Sequence, residues 1–112
     1  MITLIKDAIG VGQSEGITIV PGSETGQDKH SFQIDTIGSP TNVIVSVLGT
    51  ITGSKYEQLL QHTFTADELS SGSAIVHLIN KAIPRIKVSI DALDGGASPL
   101  VSVYYFKGSR SV

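Results

Sequence analysis

The 112-residue chain has no cysteine and no tryptophan, a single methionine, and few charges, at 16% of its residues. Without cysteine there is no disulfide framework, no thiolate zinc site and no cysteine nucleophile. With no tryptophan and only three Phe and three Tyr, any aromatic platform for sugars or bases has to be built from very few rings. The formal net charge of −2 leaves no electrostatic footprint for nucleic acid or an anionic membrane. Long apolar runs are missing too. The richest stretch, Val43 to Ile51, is broken by Ser46 and Gly49 and is too short to span a bilayer. Lys6 and Asp7 fall where a signal peptide would need its apolar core. The expectation is a single soluble domain made in a cytoplasm, with no membrane and no nucleic-acid partner.

What the chain does have is 40% hydrophobic residues and 12 glycines, arranged as short alternating runs between turn formers. Strands are predicted at 2–5, 17–20, 31–37, 42–52, 56–64, 73–79, 85–90 and 100–107. Ile86, Val88 and Ile90 alternate with Arg85, Lys87 and Ser89, the period-two pattern of a half-buried antiparallel strand. From Val43 to Leu48 both faces are apolar, which predicts a central or doubly covered strand. Gly53-Ser54 sits where a hairpin would turn, and Pro21-Gly22, Ser39-Pro40 and Asp94-Gly95-Gly96 separate other runs. The polar stretch from Gly22 to Lys29 reads as a loop. Thr65-Ala66-Asp67-Glu68 is a capping-box match and predicts at most one short helical turn, stopped by Ser70-Ser71-Gly72. The fold class expected is all-β: an antiparallel β-sandwich, jelly-roll or Ig-like. Residues 17–112 would form the sandwich and residues 1–16 an N-terminal arm.

Motifs that could carry chemistry give little. Gly12-Gln13-Ser14-Glu15-Gly16 matches the nucleophile-elbow pattern, but that elbow needs a strand-to-helix turn, and a strand signal follows here. Gly10-Val11-Gly12 lacks the third glycine and the helix of a dinucleotide site. His30, His62 and His77 are not spaced as local metal pairs, although His62 could lie on a strand beside His77 and form a pH-sensitive contact with it. Asp91 and Asp94 lack calcium-loop spacing and are expected to cap a turn. No catalytic residue, no metal and no cofactor are expected. His77 alternates with Ile75 and Ile79 on one strand face. Of the adjacent Tyr104 and Tyr105, one must face outward and one inward on a regular strand.

The stretch Gly49-Thr50-Ile51-Thr52-Gly53-Ser54-Lys55-Tyr56-Glu57-Gln58-Leu59 resembles a "G-S-L-D-G-x-x-W-x-x-L" pattern. That pattern belongs to small β-sandwich structural proteins of tailed bacteriophages. Ile79 to Val88 is similar to their "p-x-R-y-I-R-a-x-V" strand. Ser89 to Tyr105 is similar to the "l-t-G-G-x-s-P-x-V-t-V-y-y" ending, so the resemblance spans about residues 29 to 107. It departs at Thr52, where the pattern has Asp, so no ligand or metal role of that turn residue carries over, and at Tyr56, where it has Trp, so the packing ring is smaller.

The resemblance implies a non-enzymatic virion component. Most directly this is a head decoration (cement) protein that bridges capsid subunits; a neck or tail accessory piece is the lesser form. The expected partners are the protein itself, as a homotrimer, and the major capsid protein or other virion proteins. The expected location is the virion. Candidate interface residues are Ile2, Leu4 and Ile5 in the arm, with His77, Tyr104 and Tyr105. The alternative from another class is a carbohydrate-binding module using an exposed strip at Tyr56 or at Tyr104 and Tyr105, with a glycan as ligand.

Overall fold

A computed structural model describes residues 2–14, 17–18, 29–79 and 83–107. In chain order these form β1 (Ile2–Ala8), β2 (Gly12–Gln13), β3 (Ile17–Thr18), β4 (Lys29–Ile37), β5 (Asn42–Thr50), β6 (Glu57–Thr63), α1 (Ala66–Ser71), β7 (Ser73–Ile79), β8 (Arg85–Asp94) and β9 (Leu100–Lys107). The front sheet has the order β1-β9-β4-β7. The back sheet has the order β2-β8-β5-β6, with β3 also on β8. Every pairing is antiparallel.

The connectivity follows from one long hairpin. Taking β2 and β3 as pieces of one interrupted strand, the pairs β1–β9, β2/β3–β8, β4–β7 and β5–β6 are its rungs, with the bend between β5 and β6. Rolling that ribbon lays β9 against β4 and β8 against β5, which is jelly-roll topology. An Ig-like sandwich would instead keep the last two strands in one sheet; here β8 and β9 lie in different sheets.

The core is the inward half of each alternation. Phe32 and Ile34 of β4, Val43, Val45 and Val47 of β5, Ile86, Val88 and Ile90 of β8, and Val101, Val103 and Tyr105 of β9 are all buried. As the two-sided apolar pattern of Val43 to Leu48 requires, β5 is interior to its sheet. His30 is fully buried within this layer, its Nδ1 2.7 Å from the Tyr105 hydroxyl. Burial pushes the Tyr105 pKa well up, so the phenol keeps its proton and can donate it to the imidazole.

The capping box forms as its sequence dictates. The Thr65 side chain accepts from the Glu68 amide at 3.2 Å, and the Glu68 carboxylate accepts from the Thr65 amide at 2.9 Å. Gly72 closes the helix at φ 77°, a conformation that suits a residue without Cβ. The Gly53 turn joins β5 to β6 with φ 89°.

Three expectations change. Residues 2–8, read as an arm, form an edge strand of the sandwich: β1 pairs with β9 of its own chain, Ile2 opposite Tyr105 and Ala8 opposite Val101. β8 runs four residues past Ile90, and Asp91 lies within it beside a β-bulge rather than at a turn. The segment around Ser14, expected as a Gly-rich connection and not as an elbow, includes the strand piece Gly12–Gln13. The Ser14 amide donates to the Val88 carbonyl at 2.8 Å, and its hydroxyl accepts from the Val88 amide at 2.9 Å. The loop expected at 22–29 lies outside the described residues except for Lys29, which opens β4.

Candidate interaction surface

The outer face of the front sheet carries His77 and Tyr104, two of the six interface residues that the sequence points to. Register sets its rows. His77 of β7, Ser31 of β4 and Phe106 of β9 are cross-strand neighbours in one row; Ile75, Gln33, Tyr104 and Thr3 form the next. Because side chains alternate along a strand, the residues two apart on β7 and β9 fall on this same face. Phe106 is 61% exposed, Ile75 59% and Ile79 56%. Ser31, Gln33, Ile75, Tyr104 and Phe106 line a shallow, mostly apolar groove of about 260 Å³.

Polar groups rim the groove and are tied to one another. The Ser31 hydroxyl and His77 Nδ1 are 2.9 Å apart. Gln33 Nε2 donates to the Asp35 carboxylate at 3.0 Å, and the Ser73 hydroxyl donates to the same oxygen at 2.8 Å. Lys6 Nζ reaches the Tyr104 hydroxyl at 3.4 Å. These bonds hold the polar side chains close to the sheet, while Ile75, Ile79 and Phe106 stand in water. Isolated exposed apolar side chains are ordinary, but several on one flat face form a patch whose burial is favourable.

The expected interface residues divide. His77 and Tyr104 are on this face; Ile2 is exposed at the β1 edge but lies opposite the inward Tyr105, and Thr3 is the β1 residue in the outward row. Leu4 and Ile5 are half-buried and pack against the core. Tyr105 is 2% exposed and points the opposite way from Tyr104, so it is a core ring and leaves the surface set. Tyr56 belongs to the other side of the molecule. Its hydroxyl lies 3.4 Å from Arg85 Nε, and Lys87 Nζ sits 4.3 Å from its ring centroid. Tyr56 therefore does not extend the Tyr104 strip. Sequence pattern alone does not point to Phe106, Ser31 or Gln33, although the Ile75-His77-Ile79 alternation is legible in it.

On the back sheet, Asp91 accepts hydrogen bonds from Ser46, from Gln61 Nε2 at 3.1 Å and from the Ser89 hydroxyl at 2.8 Å. Desolvation pushes its pKa up, but these three donors outweigh it and hold the carboxyl below its ordinary value. The cluster ties β5, β6 and β8 together. His62 Nε2 and the Glu68 carboxylate are 2.8 Å apart, joining β6 to α1. His62 is thus engaged with Glu68 in the back sheet and His77 with Ser31 in the front sheet, and the contact between the two histidines does not form. Among the described residues no group of three or more His, Asp or Glu is arranged to hold a metal ion.

Neither a family model, nor a curated protein, nor a solved structure matches this chain.

Proposed function

We propose that this protein is a non-enzymatic structural component of a tailed-phage virion, a head decoration (cement) protein that stabilises a capsid by bridging its subunits. The observation that carries the reading is the outward strip of Ile75, Ile79, Tyr104 and Phe106 on the outer face of the front sheet. Such a surface gains free energy by being covered, at about 25 cal/mol per Å² of apolar area removed from water, and it needs no moving or reacting group. The resemblance of residues 29–107 to phage sandwich proteins supplies the setting. The partners proposed are capsid protein and further copies of this chain. A neck or tail position is the narrower variant of the same reading.

Two measurements test it. Peptides of this chain should be present at high copy number in purified virions of the phage whose genome carries the gene. The double variant Tyr104→Ala, Phe106→Asp should keep the circular dichroism of the wild type and lose co-sedimentation with capsids that lack the protein. Absence from purified virions, or unchanged capsid binding by the double variant, overturns the reading.

A second reading has its own observation. Tyr104 and Phe106 are two positions apart on β9 and face the same way, which spaces their rings about 7 Å apart, with Gln33 and Asp35 amide and carboxylate groups beside them. That is a small platform for a carbohydrate-binding module. Saturable glycan binding lost in Tyr104→Ala, with no virion association, would favour it.

A further inference from the structure

A sandwich with two open sheets has four edges, and an unprotected edge pairs with whatever strand it meets. Three of the four edges here carry devices against that. β1 has two register shifts and presents Lys6 and Asp7. β6 has a register shift against β5 and presents Glu57. The β2/β3 edge consists of two two-residue pieces. β7 has none of them. Its seven residues, Ser73-Ala74-Ile75-Val76-His77-Leu78-Ile79, include no Lys, Arg, Asp, Glu, Pro or Gly, and they pair with β4 without a shift from end to end.

The phase of the ladder shows which β7 backbone groups have no partner among the described residues. The Thr36 amide donates to the Gly72 carbonyl at 2.8 Å. Continuing that phase in steps of two, Ala74, Val76 and Leu78 exchange their bonds with β4. The amides and carbonyls of Ser73, Ile75, His77 and Ile79 therefore point away from the sheet. The Ser71 hydroxyl donates to the Ser73 carbonyl at 3.2 Å, in agreement with this phase. The groups of Ile75 and His77 lie at the centre of the open edge.

We propose that β7 is a self-pairing edge, which joins two copies of this chain antiparallel about a two-fold axis at Val76 and makes one continuous eight-stranded front sheet. The strand is self-complementary in that register. Val76 meets Val76 of the other copy, Ala74 meets Leu78, Ile75 meets His77 and Ser73 meets Ile79. Inward positions oppose inward positions, outward oppose outward, and no pair contains Lys, Arg, Asp or Glu. A second copy is the occupant because the same uncharged, regular edge satisfies both sides of an isologous contact, whereas a charged foreign strand would find nothing to match. The pairing also brings the two exposed grooves into one surface across the axis. It stands whether or not that surface is covered in a virion.

Sedimentation velocity of the full chain over a concentration series, with residue-resolved amide exchange, tests this. The expected result is a reversible dimer in which the Ile75 and His77 amides exchange at least about tenfold more slowly than in the dilute monomer, the order expected when edge amides join a ladder. Ile75→Pro removes an outward amide and no bond to β4, so it should give a folded monomer. Ile75→Lys should do the same if the proline variant fails to fold. Ile37→Lys, on an equally exposed isoleucine of the same face but off this edge, should leave the dimer intact. A chain that is monomeric throughout overturns the proposal, as does a trimer. So does a dimer that survives both Ile75 variants. Protection of these amides only when capsids are added would assign the edge to a foreign strand and overturn self-pairing.

Discussion

Tyr104 and Tyr105 are chemically identical neighbours with opposite fates, because strand periodicity sends one to water and one to the core. Tyr105 stacks near His30 and Phe32, with ring centroids 5.8 and 5.2 Å away, and its hydroxyl is bonded to His30 Nδ1. Removing that hydroxyl takes a hydrogen bond from a buried imidazole, a change that costs about 1–3 kcal/mol. Among the described residues the Tyr104 hydroxyl meets Lys6 Nζ at 3.4 Å near the surface. Tyr105→Phe should therefore lower the unfolding free energy by about 1–3 kcal/mol, while Tyr104→Phe should stay within about 0.5 kcal/mol of wild type. Urea denaturation of the two variants side by side checks this; equal effects would contradict the placement of the two rings.

At the scale of elements, two carboxylates secure irregular points. Asp91 ties down the bulged part of β8 through Ser46, Gln61 and Ser89. Glu68 closes the capping box and meets His62. For both, desolvation raises the pKa, but hydrogen bonds (for Glu68 from Thr65 and His62, with the His62 charge adding) lower it further. The folded values thus lie below those of the unfolded chain, so the unfolded state binds more protons as pH falls. The stabilisation is fully present above about pH 5 and is lost as pH drops through the carboxylate range near 4 and below. Asp91→Asn should be less stable than wild type at pH 7, and the gap should narrow by pH 3, where the wild-type carboxyl is itself becoming protonated. Urea midpoints at the two pH values provide the test; a gap that stays constant would mean the carboxylate charge has no part in holding the bulge.

At the scale of the whole molecule, the jelly roll depends on its ends meeting. Ile2 lies opposite Tyr105, so the last rung of the ribbon closes almost the entire chain. Contacts this distant in sequence carry a large closure entropy, and folding on the millisecond-to-second scale is expected. The N-terminal strand then covers the β9 edge, and Leu4, Ile5 and Ala8 pack against the core. Deleting residues 2–8 should lower stability by about 2–4 kcal/mol, the order set by losing half-buried Leu and Ile contacts. It should also expose β9 as a new edge, with loss of solubility at high concentration. A truncated chain as stable as the full one would return residues 2–8 to the status of an arm.

The sequence by itself determined the strands and their inward faces. Alternation at Phe32/Ile34 and Ile86/Val88/Ile90, the two-sided pattern at Val43–Leu48, the Thr65–Glu68 box and the turn glycines all act over a few residues, and period-two geometry converts them directly into strand and burial. It also showed that His77 shares a face with Ile75 and Ile79. Only the tertiary structure decided which strands are neighbours, because pairing partners such as Ile2 and Tyr105 are a hundred residues apart and many pairings of amphipathic strands satisfy the same local pattern. It alone decided which of Tyr104 and Tyr105 faces water, set Tyr56 against Arg85 and Lys87 of β8, and placed Phe106 and Gln33 beside the β7 isoleucines. It also left β7 at an edge. Local pattern sets which way a side chain faces; where that face lies, and what stands beside it, depends on how the ribbon rolls to bury its apolar side.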